Sequence, residues 1–308
     1  MQKIIMYHAL KCIALLFVLV LMISCHRGVR ELSGSADFSF VFMTDIHVQP
    51  ERNAEAGFRA AIDTVNKINP DFVITGGDLI MDALEQTYGR ADKLYNIYEG
   101  LAEEFNMPVY NTLGNHEIFG IYDESGVPKD HPEYGKKMFE NRLGNRYESF
   151  DHKGWHFMLL DGVLDTKKSR YIGMVDEEQM NWIREDLTEV DKSTPIVLST
   201  HIPFLTIFSQ IYSGTTVPND SGLVVVNAKE VIELFDNHNL KIVLQGHLHT
   251  IEDIYVNGTH YITGGAVSGA WWTGPNNNFE EGFVLVRVRD KEFEWEYIDY
   301  LWSVEKKE

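Results

Sequence analysis

Between residues 38 and 250 short apolar runs alternate with stretches in which apolar residues recur every three or four places. "FSFVFMT" (38–44), "DFVIT" (71–75), "MPVYNTL" (107–113), "GWHFMLLD" (154–161), "PIVLST" (195–200) and "KIVLQ" (241–245) predict buried strands. Between them, "NAEAGFRAAIDTVNKI" (53–68), "ADKLYNIYEGLAEEF" (91–105) and segments near 176–190 and 228–238 predict helices. Beyond residue 250 the alternation stops, and "IEDIYV", "THYITGG", "GFVLVRV" and "FEWEYIDY" predict consecutive strands. This order predicts an α/β fold in which a parallel-rich sheet is extended by antiparallel strands and covered by helices. With no internal repeat and no second linker, residues 38–303 are expected to form one domain.

The N-terminus has a different pattern. "MQKIIMYHALK" is weakly basic and leads into a twelve-residue apolar run from Cys12 to Ile23, too short for a membrane span of about 20 residues. The run ends in "LMISC", which resembles the lipobox of bacterial lipoproteins, with Met22 where leucine is usual. An ordinary cleaved signal or an uncleaved anchor helix are the other readings. The chain has two cysteines, and Cys12 lies inside the apolar run, so Cys25 would be alone in the mature protein and free for acylation rather than an intrachain disulfide. Residues 1–24 are therefore expected to be a lipoprotein signal peptide. Residues 25–37, "CHRGVRELSGSAD", are expected to be a tether, and the domain to be exported and lipid-anchored at the cell envelope on a periplasmic or surface face.

Residues 1–24 hold Lys3 and Lys11 and no acid, so the net charge of −19 becomes −21 without them. Such an excess repels polyanions and disfavours nucleic acid as a partner, a nuclease reading included. A small phosphate ester bound through metal ions is still compatible, because the local charge of the ions overrides the global field.

Five of the expected strands run directly into polar clusters: Asp45 and His47 ("DIH"), Asp78 ("GGD"), Asn115 and His116 ("GNHE"), His201, and His247 and His249 ("GHLH"). Ligands of α/β sheets bind outside the carboxyl ends of the strands, so residues scattered from 45 to 249 are expected to converge on one edge. Within Asp45/His47 and His247/His249 the two-residue spacing would let both side chains point the same way in extended backbone. Any one cluster alone is more often a turn or a satisfied core feature. Seven other histidines (His8, His26, His131, His152, His156, His238, His260) follow no such pattern.

The ordered set Asp-x-His, Gly-Gly-Asp, Gly-Asn-His-Glu, His, Gly-His-x-His resembles the calcineurin-like metallophosphoesterase superfamily, and most closely its bacterial cyclic-nucleotide phosphodiesterase-like branch. The resemblance implies a four-layer α/β/β/α sandwich with two mixed sheets and a metal site at the carboxyl ends of the strands. It also implies two divalent transition-metal ions, with Mn, Fe, Zn, Co and Ni all suited to a mixed N/O ligand set. Asp45, His47, Asp78 and His249 would hold the first ion, and Asp78, Asn115, His201 and His247 the second. A hydroxide bridging such a pair is a nucleophile near neutral pH. His116 would be the general acid for the leaving alkoxide, although it could instead only orient Asp45 or fill a corner of the site. Glu117 is expected to support the ligands by hydrogen bonding.

The family's protein phosphatases carry arginine where this chain has Leu113. Its purple acid phosphatases carry tyrosine where this chain has Met81, and lack the histidine found here at His47. The expected activity is thus dinuclear metal-dependent hydrolysis of a phosphomonoester or phosphodiester, the substrate being a small phosphate ester. The alternative is a noncatalytic, metal-containing surface lipoprotein that binds a phosphorylated ligand, against which His116 argues, since a binder needs no proton donor. Two segments are expected to shape specificity: the long loop 202–222, and 264–278 with Trp271 and Trp272, whose rings either stack on a base or sugar or close a sheet edge.

Overall fold

A computed structural model of the protein describes residues 36–168 and 170–304. The expected signal peptide and residues 25–35 of the expected tether lie outside the described residues. The described residues form one compact unit.

In chain order its elements are β1 (Phe38–Met43), α1 (Ala54–Ile68), β2 (Phe72–Thr75), α2 (Tyr88–Ala102), β3 (Val109–Asn111), α3 (Lys137–Arg142), β4 (Glu148–His152), β5 (Trp155–Leu160), β6 (Val163–Asp165), β7 (Tyr171–Gly173), α4 (Glu177–Glu189), β8 (Pro195–Thr200), α5 (Phe208–Tyr212), α6 (Ala228–Glu233), β9 (Asn239–Gln245), β10 (Ile251–Val256), β11 (Thr259–Gly264), β12 (Gly282–Arg289) and β13 (Glu292–Asp299). Local chemistry sets several of the ends. α1 stops at Asn69, left-handed at φ 55, whose N–H bonds the Val65 carbonyl, and Pro70 cannot extend the helix. α4 starts at Asp176, whose carboxylate accepts the Gln179 N–H, with Glu177 and Glu178 in its positive first turn. α2 begins at Tyr88 rather than the expected Ala91, because the Thr87 carbonyl already accepts the N–H groups of Arg90 and Ala91.

Both main sheets are mixed. One has five strands in the order β13-β12-β1-β2-β3, with β1, β2 and β3 parallel and β12 and β13 antiparallel. The other has six, β10-β11-β9-β8-β5-β4, with β5, β8, β9 and β11 parallel and antiparallel strands at both edges. The α/β expectation is met, and the tail adds antiparallel pairs at β10, β12 and β13, whereas β11 lies parallel to β9 and continues the parallel part of its sheet.

Alternation along β1 sends Phe38, Phe40 and Phe42 to an aromatic-rich cluster shared with Phe72 of β2 and, from the other sheet, Phe157, Val197 and Leu244. Phe40 stacks on Phe72 at 5.3 Å and meets Phe157 edge-on at 5.4 Å, so the two sheets face each other through these rings. Val41 and Met43, the alternate residues, join a second cluster with Phe58, Ile62 and Val65 of α1. Met158 and Leu160 of β5 belong to that cluster too, along with Met180, Ile183 and Leu187 of α4. No helix among the described residues is long and apolar enough to cross a membrane.

Candidate metal centre

The strand ends deliver their polar residues to one edge. Asp45 and His47 follow β1, Asp78 follows β2, Asn115 and His116 follow β3, His201 follows β8, and His247 and His249 follow β9. The two sheets are tied together there. The Thr112 and Ser199 hydroxyls lie 2.8 Å apart, and the His247 N–H donates to the Asp45 carboxylate at 2.9 and 3.1 Å. Close backbone approach is also required, because a Cβ on Gly114 would sit 2.2 Å from the Asp78 nitrogen.

Three overlapping groups result, each with ligand atoms within 4.8 Å of one another: Asp45, His47 and His249; His47, Asp78 and His116; and Asp78, His201 and His247. Asn115 Oδ1 lies 3.1 Å from His201 Nε2 and so joins the third group. The backbone is not extended as the two-residue spacing suggested. Asp45 (φ 55), His47 (φ 47), Asp78 (φ 52), His247 (φ 72) and His249 (φ 51) are all left-handed, because the strands have ended and the chain coils off the sheet edge. Each such residue stores about 1 kcal/mol or more of strain. That five occur at one edge marks it as a place where the fold holds side chains at a backbone cost.

The donor chemistry fits cations. His201 Nδ1 donates to the Gly76 carbonyl at 2.8 Å and His249 Nδ1 to the Gly269 carbonyl at 2.6 Å, which leaves Nε2 of each neutral ring as an acceptor. Yet His249 Nε2 faces Asp45 Oδ1 at 3.2 Å and His47 Nε2 at 3.1 Å. His201 Nε2 likewise faces Asp78 Oδ2 at 3.2 Å and His247 Nδ1 at 3.2 Å. Lone pairs aimed at lone pairs over such distances require positive charge between them, either a proton or a metal ion. Burial lowers His247 to about 4, and the His201 charge adds to this. At His201 burial also lowers the pKa, but the Asp78 carboxylate outweighs it and lifts the ring to about 9. Burial would raise Asp78, but His201, His116 and His47 hold it well below the usual carboxylate range. A cluster that keeps Asp78 ionised and His247 neutral presents the deprotonated ligands that divalent cations need.

His116 is partly open to solvent, its side chain 23% exposed, and His247 alone among the other residues of the three groups is likewise not fully buried. Its N–H donates to Asp78 Oδ1 at 3.0 Å, and its ring meets that of His47 edge-on at 4.8 Å. Nε2 lies 3.7 Å from Asp78 Oδ2 and Nδ1 3.6 Å from Asp82 Oδ1. By distance alone His116 could also be a ligand, since it closes one of the three groups.

Glu117 is fully buried, and its carboxylate accepts four backbone N–H groups: Asp78 (2.9 Å), Leu79 (2.7 Å), Ile80 (3.2 Å) and Gly114 (2.8 Å). Burial, then the Asp78 charge, pushes it up to about 7, opposed by the N–H dipoles of Ile80 and Gly114. It thus clamps the turn after β2 to the turn after β3. Glu117→Gln turns an amide NH₂ towards backbone N–H donors and is expected to destabilise the fold by about 2–4 kcal/mol in urea unfolding. Unchanged stability would show that the clamp is dispensable.

Three contributors leave no pattern in the sequence. Asp82 reaches His116 from the turn after Asp78, and the Gly76 and Gly269 carbonyls fix the His201 and His249 tautomers. Asp82 is the next acid after "GGD" in the chain, whereas a backbone carbonyl is carried by every residue type and marks none.

Residues 38–250 match the family model for calcineurin-like phosphoesterases. The chain belongs to that family. Membership makes it a hydrolase of phosphoric esters, and the clusters described above supply candidate ligands for the family's dinuclear metal site. A "probable cyclic nucleotide phosphodiesterase" of Xenorhabdus bovienii is 22% identical over 255 residues, which cover 79% of this chain and 92% of that one. Purple acid phosphatase 23 of Arabidopsis thaliana is 31% identical over 157 residues, 47% of this chain and 29% of that protein. Among solved structures, a dimetal phosphatase from Danio rerio superposes with a TM-score of 0.65 at 14% identity, covering 87% of this chain and 98% of the other, a likeness of fold.

Proposed function

We propose that the protein is a dinuclear metal-dependent phosphoesterase acting on a small phosphomonoester or phosphodiester. The observation that carries this reading is the convergence of buried carboxylates and imidazole lone pairs around gaps fit for cations, with a half-open histidine beside them. Asp45, His47, Asp78 and His249 would hold one ion and Asp78, Asn115, His201 and His247 the other, with Asp78 common to both sets. When bound, the ions lower the pKa of water and stabilise charge on the phosphoryl oxygens.

The chain's own residues do the rest. Asn115 offers a neutral oxygen, so with two dications bound only two carboxylates would oppose them and the site would stay net positive for an anionic substrate. His116 presents Nε2 to the site and Nδ1 to Asp82; its Nε2 proton goes to the leaving oxygen as the P–O bond breaks, releasing an alcohol. Glu117 keeps the two ligand-bearing turns at fixed separation. The kinship with cyclic nucleotide phosphodiesterases supports including cyclic nucleotides among the substrates to be tried.

Chelated protein is expected to be inert, and Mn²⁺ or another transition metal to restore turnover of at least one ester in a panel of monoesters, linear diesters, cyclic nucleotides and sugar or lipid phosphates. Turnover that survives complete metal removal would overturn the proposal. We also propose, from the "LMISC" pattern ending in Cys25, that the domain is tethered at the cell envelope through a lipid on Cys25; palmitate should label the wild type and not Cys25→Ser, and equal labelling of both would overturn this.

A further inference from the structure

The loop after β11 carries two adjacent tryptophans, and the structure gives them opposite surroundings. Trp272 is 1% exposed. Its ring lies against Gly57 of α1, where a Cβ would come within 2.2 Å of Cζ3, and its indole N–H donates to the Ile46 and His47 carbonyls at 3.0 and 3.1 Å. Trp272 is therefore a wedge that fixes the turn after β1 against α1. Trp271 is 39% exposed, with its ring centroid 4.6 Å from that of His249 and 6.0 Å from that of His47.

Packing accounts for Trp272 and leaves Trp271 unexplained. Both tryptophans are left-handed, Trp271 at φ 51 and Trp272 at φ 65, a conformation that bulky side chains rarely adopt; burial of the Trp272 ring offsets that strain, whereas the exposed Trp271 ring has no such compensation. The turn is held without help from the ring: Ala270 N–H bonds the Gly274 carbonyl, Trp272 N–H bonds the Ser268 carbonyl at 2.7 Å, and Arg52 Nη1 donates to the Trp271 carbonyl at 2.9 Å. A half-exposed indole kept in strained backbone beside a polar metal centre needs a use for its face. His116 packs against His47, as Trp271 does, so His47 is flanked by the proton donor and the indole.

We propose that Trp271 is a stacking platform for a planar ring carried by the alcohol part of the substrate, which places the natural esters in an aryl or nucleobase-bearing class. The inference rests on the phosphoesterase reading for the word "substrate", but the stacking itself does not depend on turnover. Ring-on-ring stacking tolerates any flat π-face and strengthens binding about tenfold or more.

Calorimetric titration of Mn²⁺-loaded protein with phenylphosphonate, an adenosine methylenephosphonate and ring-free ethylphosphonate tests this, because their C–P bonds do not hydrolyse at an ester-cleaving site. Wild type is expected to bind at least one ringed phosphonate about tenfold more tightly than ethylphosphonate. Trp271→Asn, which keeps the left-handed turn, should erase that difference while leaving ethylphosphonate affinity and metal content unchanged; Trp271→Phe should retain most of it. Which ringed probe gains more tells aryl from nucleobase. Equal affinity of wild type for all three phosphonates overturns the proposal, as does an equal loss for all three in Trp271→Asn. Ring-dependent binding without hydrolysis of any ester would sink the phosphoesterase reading and leave the platform standing.

Discussion

Asp78→Ala is expected to lose most of its bound metal and to fall in turnover by on the order of 10³-fold or more. Asp78 is buried, and its Oδ2 faces three imidazoles, His201 at 3.2 Å and His47 and His116 at 3.7 Å each. Removing the carboxylate deletes the one anionic group common to two of the three ligand clusters, and leaves the ring nitrogens around a gap with half the compensating charge. Asp78→Asn separates the electrostatic part from the structural one. An asparagine at φ 52 tolerates the left-handed backbone and still offers Oδ1 to the His116 N–H, so the variant should fold yet bind metal poorly. The checks are metal content per chain, thermal melting and turnover on the same preparations. A variant that retains both ions and the wild-type rate would remove Asp78 from the centre of the scheme.

How much of this was legible in the chain follows from what each element is made of. β1, β2, β8 and β9 are short, predominantly apolar runs followed at once by the polar clusters, so both the strands and the ends at which chemistry gathers are legible in the sequence. β4, "ESFDH", has a single large apolar residue and no periodic signal, and is a strand only because β5 pairs with it across the turn at Lys153 and Gly154. The β6–β7 hairpin pairs only Val163–Asp165 with Tyr171–Gly173, too short for any pattern to register. Left-handed backbone at Asp45 and His47 was hidden because spacing alone does not distinguish an extended pair from a coiled one. The separate surroundings of Trp271 and Trp272 depend on Gly57, a residue more than two hundred places away in the chain, and no local rule links them. What sequence hides here is the turn geometry, and turn geometry decides which polar groups support the ligands.

His116→Ala should keep both metals and lose about 10²–10⁴ in rate, with the loss depending on the ester. An alkoxide leaves as a strong base and needs its proton in the transition state, whereas a nitrophenolate leaves without one. If His116 delivers that proton, the variant should be severely impaired on alkyl esters and only mildly on nitrophenyl esters. If it merely fills the space beside His47, both classes should fall by the same factor. If it is a ligand, as its place in the second cluster would permit, metal content should drop as well. Partial exposure makes truncation tolerable for the fold, and the backbone N–H that bonds Asp78 is untouched by the change, so the three outcomes are separable in one folded variant. Asp82 extends the argument: its carboxylate stands 3.6 Å behind Nδ1, on the side from which the ring can be oriented, and Asp82→Asn should reduce alkyl-ester turnover in the same direction but by less.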